Sequence, residues 1–415
     1  MKLGWLISSK WSVILLILAF ATKAVLMTLA PMSPDLAFQV SQGFGMEPWS
    51  MTPYGLLFRS ILALWNLTPL EHPNLASSWT VNNFQPSPSL FLLVFMLKFP
   101  LLILDFVTGI LIGECVRQQG FVKQGKYAFF VWFLNPYVLL VNEMWWSMDL
   151  FPIALLLSSV IALRSGRRLK SDFYLLCATA AKLFPLISAP AFFATIDDKK
   201  QRLIAILSAL VGAALFFAWT YYAGYNPLLQ FTRYDVFFVF FDEFTVSTQD
   251  YIRIGLATTL LTVTYVLMLE KWPKNPEATF DGILVTFLAY FAFANWFPSY
   301  LLWLIPFATV RTAGSRRGLI YLALLTMTAF STSIFTFKSY FTANGLALFF
   351  LPVNGNALLM QTLASYNQIS QNALLAIFFV PLAQALFTSI CLIYAAQLIN
   401  THTKILTTLS RCIGI

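Results

Sequence analysis

The stretch Trp11–Ala30, WSVILLILAFATKAVLMTLA, decides the fold. A helix needs about 20 consecutive, predominantly apolar residues to cross the hydrocarbon core of a bilayer, and this stretch supplies them. It follows Lys2 and Lys10 and runs into Pro31-Met32-Ser33-Pro34 rather than a small-residue cleavage site. It is therefore expected to stay attached as a first transmembrane helix rather than be removed as a signal peptide.

Outward from this stretch the chain keeps the same character. Of its 415 residues 59% are hydrophobic and only 10% charged, far more apolar surface than a water-soluble domain can use. Further apolar runs lie near 89–113, 127–142, 147–163, 203–223, 251–269, 319–338 and 373–398. An all-α polytopic membrane protein is predicted, with one membrane domain over 1–415 and no loop long enough for a separate soluble domain. The formal charge of +9 is scattered among short loops rather than gathered in a stripe, so it reads as membrane orientation and no nucleic-acid partner is expected.

Most of the 26 lysines and arginines fall into short clusters: Lys2 and Lys10; Arg117, Lys123 and Lys126; Arg164, Arg167, Arg168 and Lys170; Lys199, Lys200 and Arg202; Lys271 and Lys274; Arg311, Arg316 and Arg317; Lys404 and Arg411. The positive-inside rule puts these clusters, and both termini, on the cytoplasmic side. The segment Leu175–Ala194 then has positive flanks on both sides, although its length would allow a single crossing. It is expected to enter and return as a hairpin turning near Lys182-Leu183-Phe184-Pro185, where proline interrupts helical hydrogen bonding. Asp281–Val310, broken by Pro298, is expected to form a second hairpin of two short arms.

The intervening loops collect acids: Asp35, Glu47 and Glu71, then Glu143 and Asp149, then Asp235, Asp242, Glu243 and Asp250. An outward-facing acidic cavity is expected on that side. The first external loop, 31–88, holds an apolar segment, Pro53–Leu67, too short to span comfortably and expected along the interface. The four cysteines form no external pair, and two histidines are too few for an imidazole metal centre, so neither disulfides nor a metal is expected. Asn66-Leu67-Thr68 has the pattern of a glycosylation sequon.

Asp35, just past the first helix in Ala30-Pro31-Met32-Ser33-Pro34-Asp35, is either a plain solvated acid at a helix end or the first candidate for chemistry, a carboxylate at a membrane surface where a lipid-linked substrate can meet a polar acceptor. Lys98 and Asp105 stand about 10 Å apart along one helical face. Charges inside a span should face the protein interior, and pairing for structure is the favoured role for both.

The residues also resemble a family. Asp35 with Gly45-Met46-Glu47-Pro48-Trp49 and Thr52-Pro53-Tyr54 looks like the first external loop of the GT-C superfamily of polyprenyl-phosphate-sugar glycosyltransferases. In order follow Leu97-Lys98-Phe99-Pro100 with Asp105, the Asn-Pro piece Phe133-Leu134-Asn135-Pro136-Tyr137, and the acid Asp149. Ala181-Lys182-Leu183-Phe184-Pro185 then resembles the Lys-x-x-Pro hairpin, and Tyr300-Leu301-Leu302-Trp303-Leu304-Ile305-Pro306 the Tyr-x-x-Trp-x-x-Pro stretch. The mannosyltransferases of this superfamily are the nearest likeness. Ser33-Pro34-Asp35 stands where some members carry Asp-x-Asp, so a metal role is not expected.

The resemblance implies a GT-C-like bundle of about 10–12 membrane segments, the two broken hairpins included, each long enough to cross or enter the core. It implies transfer of a hexose, mannose by the nearest likeness, from a polyprenyl or dolichyl phosphate to a glycolipid or glycan acceptor, with Asp35 as base in an inverting displacement. The sugar already has a good leaving group, so one carboxylate suffices where a glycosidase needs two. Glu47 is a candidate for acceptor hydroxyls, with a solvated loop acid as the other reading, and Asp149 for sugar beside Trp145 and Trp146, for which an interfacial anchor is the favoured role. Lys182 and Arg233 compete as ligands of the donor phosphate, with a structural ion pair as the other reading of Lys182. Tyr300 and Trp303 either line a lipid groove or pack the core.

The expected partners are the bilayer, the sugar lipid, the acceptor and a small membrane subunit, in the ER membrane of a eukaryote or the plasma membrane of a prokaryote. Two other classes stay open. A non-catalytic GT-C-like scaffold subunit would tolerate loss of Asp35, and a secondary transporter would need access from both sides.

Overall fold

The computed structural model describes residues 3–29, 60, 63–64, 67, 88–145, 147, 149–182, 184–222, 248–293, 298–313, 315–336 and 380–403. Asp35, Glu47, Arg233, the interfacial segment and the glycosylation sequon lie essentially outside them. The regular elements among the described residues are all helices, with no strand among them. Three of the helices are long and apolar enough to cross a membrane: Lys10–Met27, Phe95–Gln118 and Leu382–Thr403.

The first helix, α1, is Lys10–Leu29, and α2 is Pro88–Gln118 with Pro100 inside it. Gly120, at φ 89°, lets the chain turn after α2 into α3, Gln124–Phe133. The two helices approach closely at Gly113 and Gly125, where a Cβ on either would come within 2.8 Å of the other's carbonyl oxygen. The run read as one helix over 127–142 is interrupted. Pro136 cannot continue the α3 hydrogen bonds, and Asn135 starts a new turn, accepting from the backbone N–H of Tyr137 at 2.9 Å and Val138 at 3.4 Å. The turn Pro136–Val138 then widens into a π-helix, Leu139–Trp145.

Helix α4, Leu150–Arg164, is followed after Gly166 (φ 73°) by α5, Arg168–Ala181, packed antiparallel against it. Lys182 is extended and breaks the helix. A 3₁₀ turn, Phe184–Ser188, and α6, Ala189–Phe193, complete the segment. There follow α7 (Lys199–Tyr222), α8 (Thr248–Lys271) and α9 (Pro276–Phe291), the last capped by Asn275 on the N–H of Ala278 at 2.8 Å. The chain continues through α10 (Pro298–Leu301), α11 (Ile305–Thr312), α12 (Arg316–Thr336) and α13 (Val380–Thr403). The last helix thus extends five residues beyond the span read near 373–398.

The bundle is apolar outside and charged inside, the arrangement a lipid solvent favours. Trp11, Ile17, Leu18, Val266, Met327, Leu382 and Ile393 face outward, whereas Lys23, Lys98, Asp105, Glu143 and Asp149 are buried.

One end of the bundle collects the basic segments. Lys126 reaches Ser8 at 3.4 Å, Arg164 donates to the carbonyl of Gln118 at 3.1 Å, and Arg202 donates to that of Leu269 at 2.7 Å. Arg168, at the start of α5, donates to the carbonyl of Phe192 at 3.3 Å and the hydroxyl of Thr195 at 2.9 Å. Asp281, near the start of α9, pairs with Arg311 at the end of α11 at 3.1 Å and with His402 of α13 at 2.7 Å. Both proline-broken stretches therefore return to the level at which they began.

Candidate functional site

Antiparallel packing of α4 on α5 sets the start of one beside the end of the other. Asp149 sits just before α4 and Lys182 just after α5, each where the helix dipole favours its charge. Their side chains meet, Lys182 Nζ donating to Asp149 Oδ1 at 2.8 Å. Ser147 supports the acid, donating to Oδ2 at 3.3 Å and accepting the Asp149 backbone N–H at 3.2 Å. Asp149 is nearly buried, whereas the Lys182 side chain keeps 26% exposure, so the lysine is the member that a soluble or lipid-borne anion can still approach.

Below this pair lies an aromatic cluster. The Phe184 ring is 4.7 Å from that of Trp303, 5.3 Å from Phe287 and Tyr290, and 5.4 Å from Phe291. The turn after Lys182 thus packs on the second broken stretch. Trp303 is fully buried here and belongs to this packing, the apolar of its two expected roles. Tyr300 lies on α10, and its side chain is outside the described residues, as are those of Trp145 and Trp146.

A second ionic centre lies beside the π-helix. Lys23 Nζ donates to Asp105 Oδ2 at 2.5 Å and to Glu143 Oε1 at 2.8 Å, and stands 4.5 Å over the Phe133 ring. Trp132 Nε1 donates to Asp105 Oδ1 at 2.7 Å, and Lys98 Nζ to the Glu143 backbone carbonyl at 2.7 Å. Lys98 and Asp105 thus serve structure, as expected, although their partners lie on other elements. Glu143 and Asp149 correct the reading of outer-loop acids. Both are buried and paired, Glu143 on the π-helix where a loop was expected and Asp149 at the start of α4.

Helix rise places four of these charges in one layer, with Lys98 about 10 Å beyond Asp105 along α2. Measured from the basic end at 1.5 Å per residue, Lys23 lies about 20 Å along α1, Asp105 about 20 Å along α2, Asp149 about 22 Å along α4 and Lys182 about 21 Å along α5. Three lysines (Lys23, Lys98 and Lys182) formally balance three carboxylates (Asp105, Glu143 and Asp149) at this side of the bundle. Among the described residues no group of three His, Cys, Asp or Glu could hold a metal ion. Cys115, Cys177 and Cys391 are free thiols.

Lys23 was missed from the sequence, although a lone lysine inside an apolar span is a signal for an interior partner. Neither a protein-family model nor a curated protein matches the chain.

Proposed function

We propose that this chain is a GT-C-type glycosyltransferase that moves a hexose, by resemblance mannose, from a polyprenyl phosphate to a glycolipid or glycan acceptor. The observation that carries the reading is Lys182, a partly exposed cation at a helix break about 21 Å from the basic end. That depth suits a phosphate carried on a membrane lipid. The chain leaving α1 toward Asp35 starts from the same side of the bundle.

In this reading the basic end is cytoplasmic and the two broken stretches are re-entrant hairpins, with Arg168 to Thr195 and Asp281 to Arg311 closing their mouths. The working side is then the ER lumen or the cell exterior. Asp35 takes the proton of an acceptor hydroxyl as that oxygen bonds the sugar's anomeric carbon. The anomeric C–O bond breaks with inversion, and the phosphate departs with the bonding electrons toward Lys182 or Arg233. Glu47 serves hydroxyl recognition, while Asp149 holds Lys182 in place.

The test is incubation of purified protein with polyprenyl-phosphate hexoses and a glycolipid acceptor mixture, with products identified by mass spectrometry. Asp35→Asn should fold normally and lose about 10²- to 10⁴-fold in turnover, the usual span of a general base. Turnover should survive EDTA. Absence of product from every donor would sink the reading.

A non-catalytic scaffold is the second reading, favoured by Asp149, which already neutralises Lys182. A well-folded Asp35→Asn protein with unchanged cellular function would select it.

A further inference from the structure

The seam by which α1 joins the bundle is thin. Its buried positions are Ser12, Ala19, Lys23 and Met27, while Trp11, Ile14, Leu15, Ile17, Leu18 and Val25 face outward. In water such a helix would be held by burial of its apolar face. In lipid that force is missing, because the surrounding tails are as apolar as the side chains. Leu16 and Phe20 also pack on the core, the Phe20 ring 5.2 Å from those of Phe106 and Phe133, but such apolar contacts are non-directional and leave both the depth and the rotation of a helix soft.

Lys23 is the directional contact on this seam. Its ammonium holds Asp105 of α2 and Glu143 of the π-helix, and each acid is fixed in turn, Asp105 by Trp132 and the Glu143 backbone by Lys98. A buried ionic centre is weak evidence for stability, since neutral groups of the same shape often hold a fold as well. What such a centre supplies beyond packing is register.

We infer that Lys23 is a positioning residue that fixes the depth and rotation of α1, and thereby the point from which the chain departs toward Asp35. The link to Asp35 rests on the glycosyltransferase reading; the fixing of α1 does not.

The experiment compares the full-length protein with its neutral triple variant Lys23→Met, Asp105→Asn, Glu143→Gln. Spin labels on genetically encoded amino acids at the exposed positions Val25 and Leu176 report the separation of α1 from α5 by pulsed electron resonance. The wild type should give one narrow distance and the triple variant a broadened or displaced one, with the melting temperature changed by less than about 3 °C. An unchanged distance distribution overturns the inference. If the triple variant does not accumulate, Glu143→Gln alone, which keeps the Lys23–Asp105 pair, should broaden the distribution, and an unchanged one again overturns it.

Turnover tests the link to the acid. The triple variant should lose at least about tenfold in kcat with donor KM within about twofold, and lose nothing further in an Asp35→Asn background. Independent, multiplying losses would overturn that link. A wild type without turnover would remove the glycosyltransferase reading, while the distance measurement would still decide whether Lys23 fixes α1.

Discussion

Arg168 and Thr195 are 27 residues apart in sequence and 2.9 Å apart in space. A straight helix over the same residues would separate them by about 40 Å. The chain between them therefore doubles back, and Lys182 and Pro185 occupy the turn. Asp281 and Arg311 impose the same geometry on the second broken stretch at 3.1 Å.

Cysteines placed at Lys170 and Lys199, both exposed, should accordingly be labelled by an impermeant maleimide from one and the same membrane face. Labelling from opposite faces would mean that the segment crosses the membrane once.

Lys182→Met strands a nearly buried carboxylate at Asp149 and should cost about 1–3 kcal/mol, reduced from a fully buried pair because the lysine is partly exposed. Adding Asp149→Leu should recover most of that stability, which thermal unfolding of the single and double variants can measure. Donor use should not recover with it. Steady-state kinetics with varied donor should show about a ten- to hundredfold weaker response in both Lys182 variants, the value of one charge-assisted contact. A double variant with normal donor dependence would move the phosphate to Arg233 or elsewhere.

Asn135 caps the turn that opens after Pro136 and donates from Nδ2 to Thr326 Oγ1 at 3.2 Å. Asn135→Ala should destabilise the protein by about 1–2 kcal/mol. Asn135→Ser keeps an oxygen for the cap but is too short for Thr326, so its loss should be smaller. Equal melting temperatures for the two variants would show that the cap contributes little.

Gly113→Ala would bring a Cβ to 2.8 Å from the Gly125 carbonyl oxygen, part of a backbone that cannot yield without moving α3. The expected loss is about 1–3 kcal/mol, as for other overpacked contacts. Gly255→Ala on α8, where an added Cβ meets nothing within 4 Å, serves as the control and should be neutral or stabilising. The comparison is a thermal-unfolding measurement on the purified protein.

The helices were largely legible because long apolar runs declare themselves: Trp11–Ala30 is seen as Lys10–Leu29, and the run near 251–269 as Thr248–Lys271. Flanking charge with an interior proline marked two stretches whose ends lie side by side, Arg168 with Thr195 and Asp281 with Arg311. The ionic centre was not. Lys23 is 82 residues from Asp105 and 120 from Glu143, separations that no local pattern connects. Glu143 read as an outer acid because hydropathy cannot reveal a wide turn that keeps the chain inside the bundle. For Lys182 both the phosphate ligand and the ion pair were legible as alternatives, and only the antiparallel packing of α4 on α5 identifies Asp149 as its partner.

The π-helix over Leu139–Trp145 has a consequence for how the chain can change in length. Its hydrogen bonds reach one residue further than those of an α-helix, so deleting a single residue there could restore ordinary pitch without breaking the helix. A one-residue change that the wide turn does not absorb would instead rotate everything after it by about 100° relative to Asn135. Glu143 and Asp149 would then leave Lys23 and Lys182 together. The number of residues between Asn135 and Asp149 is thus itself a structural dimension. A natural insertion or deletion in this short interval would disturb both ionic centres, whereas one in the turn after α2 would disturb neither.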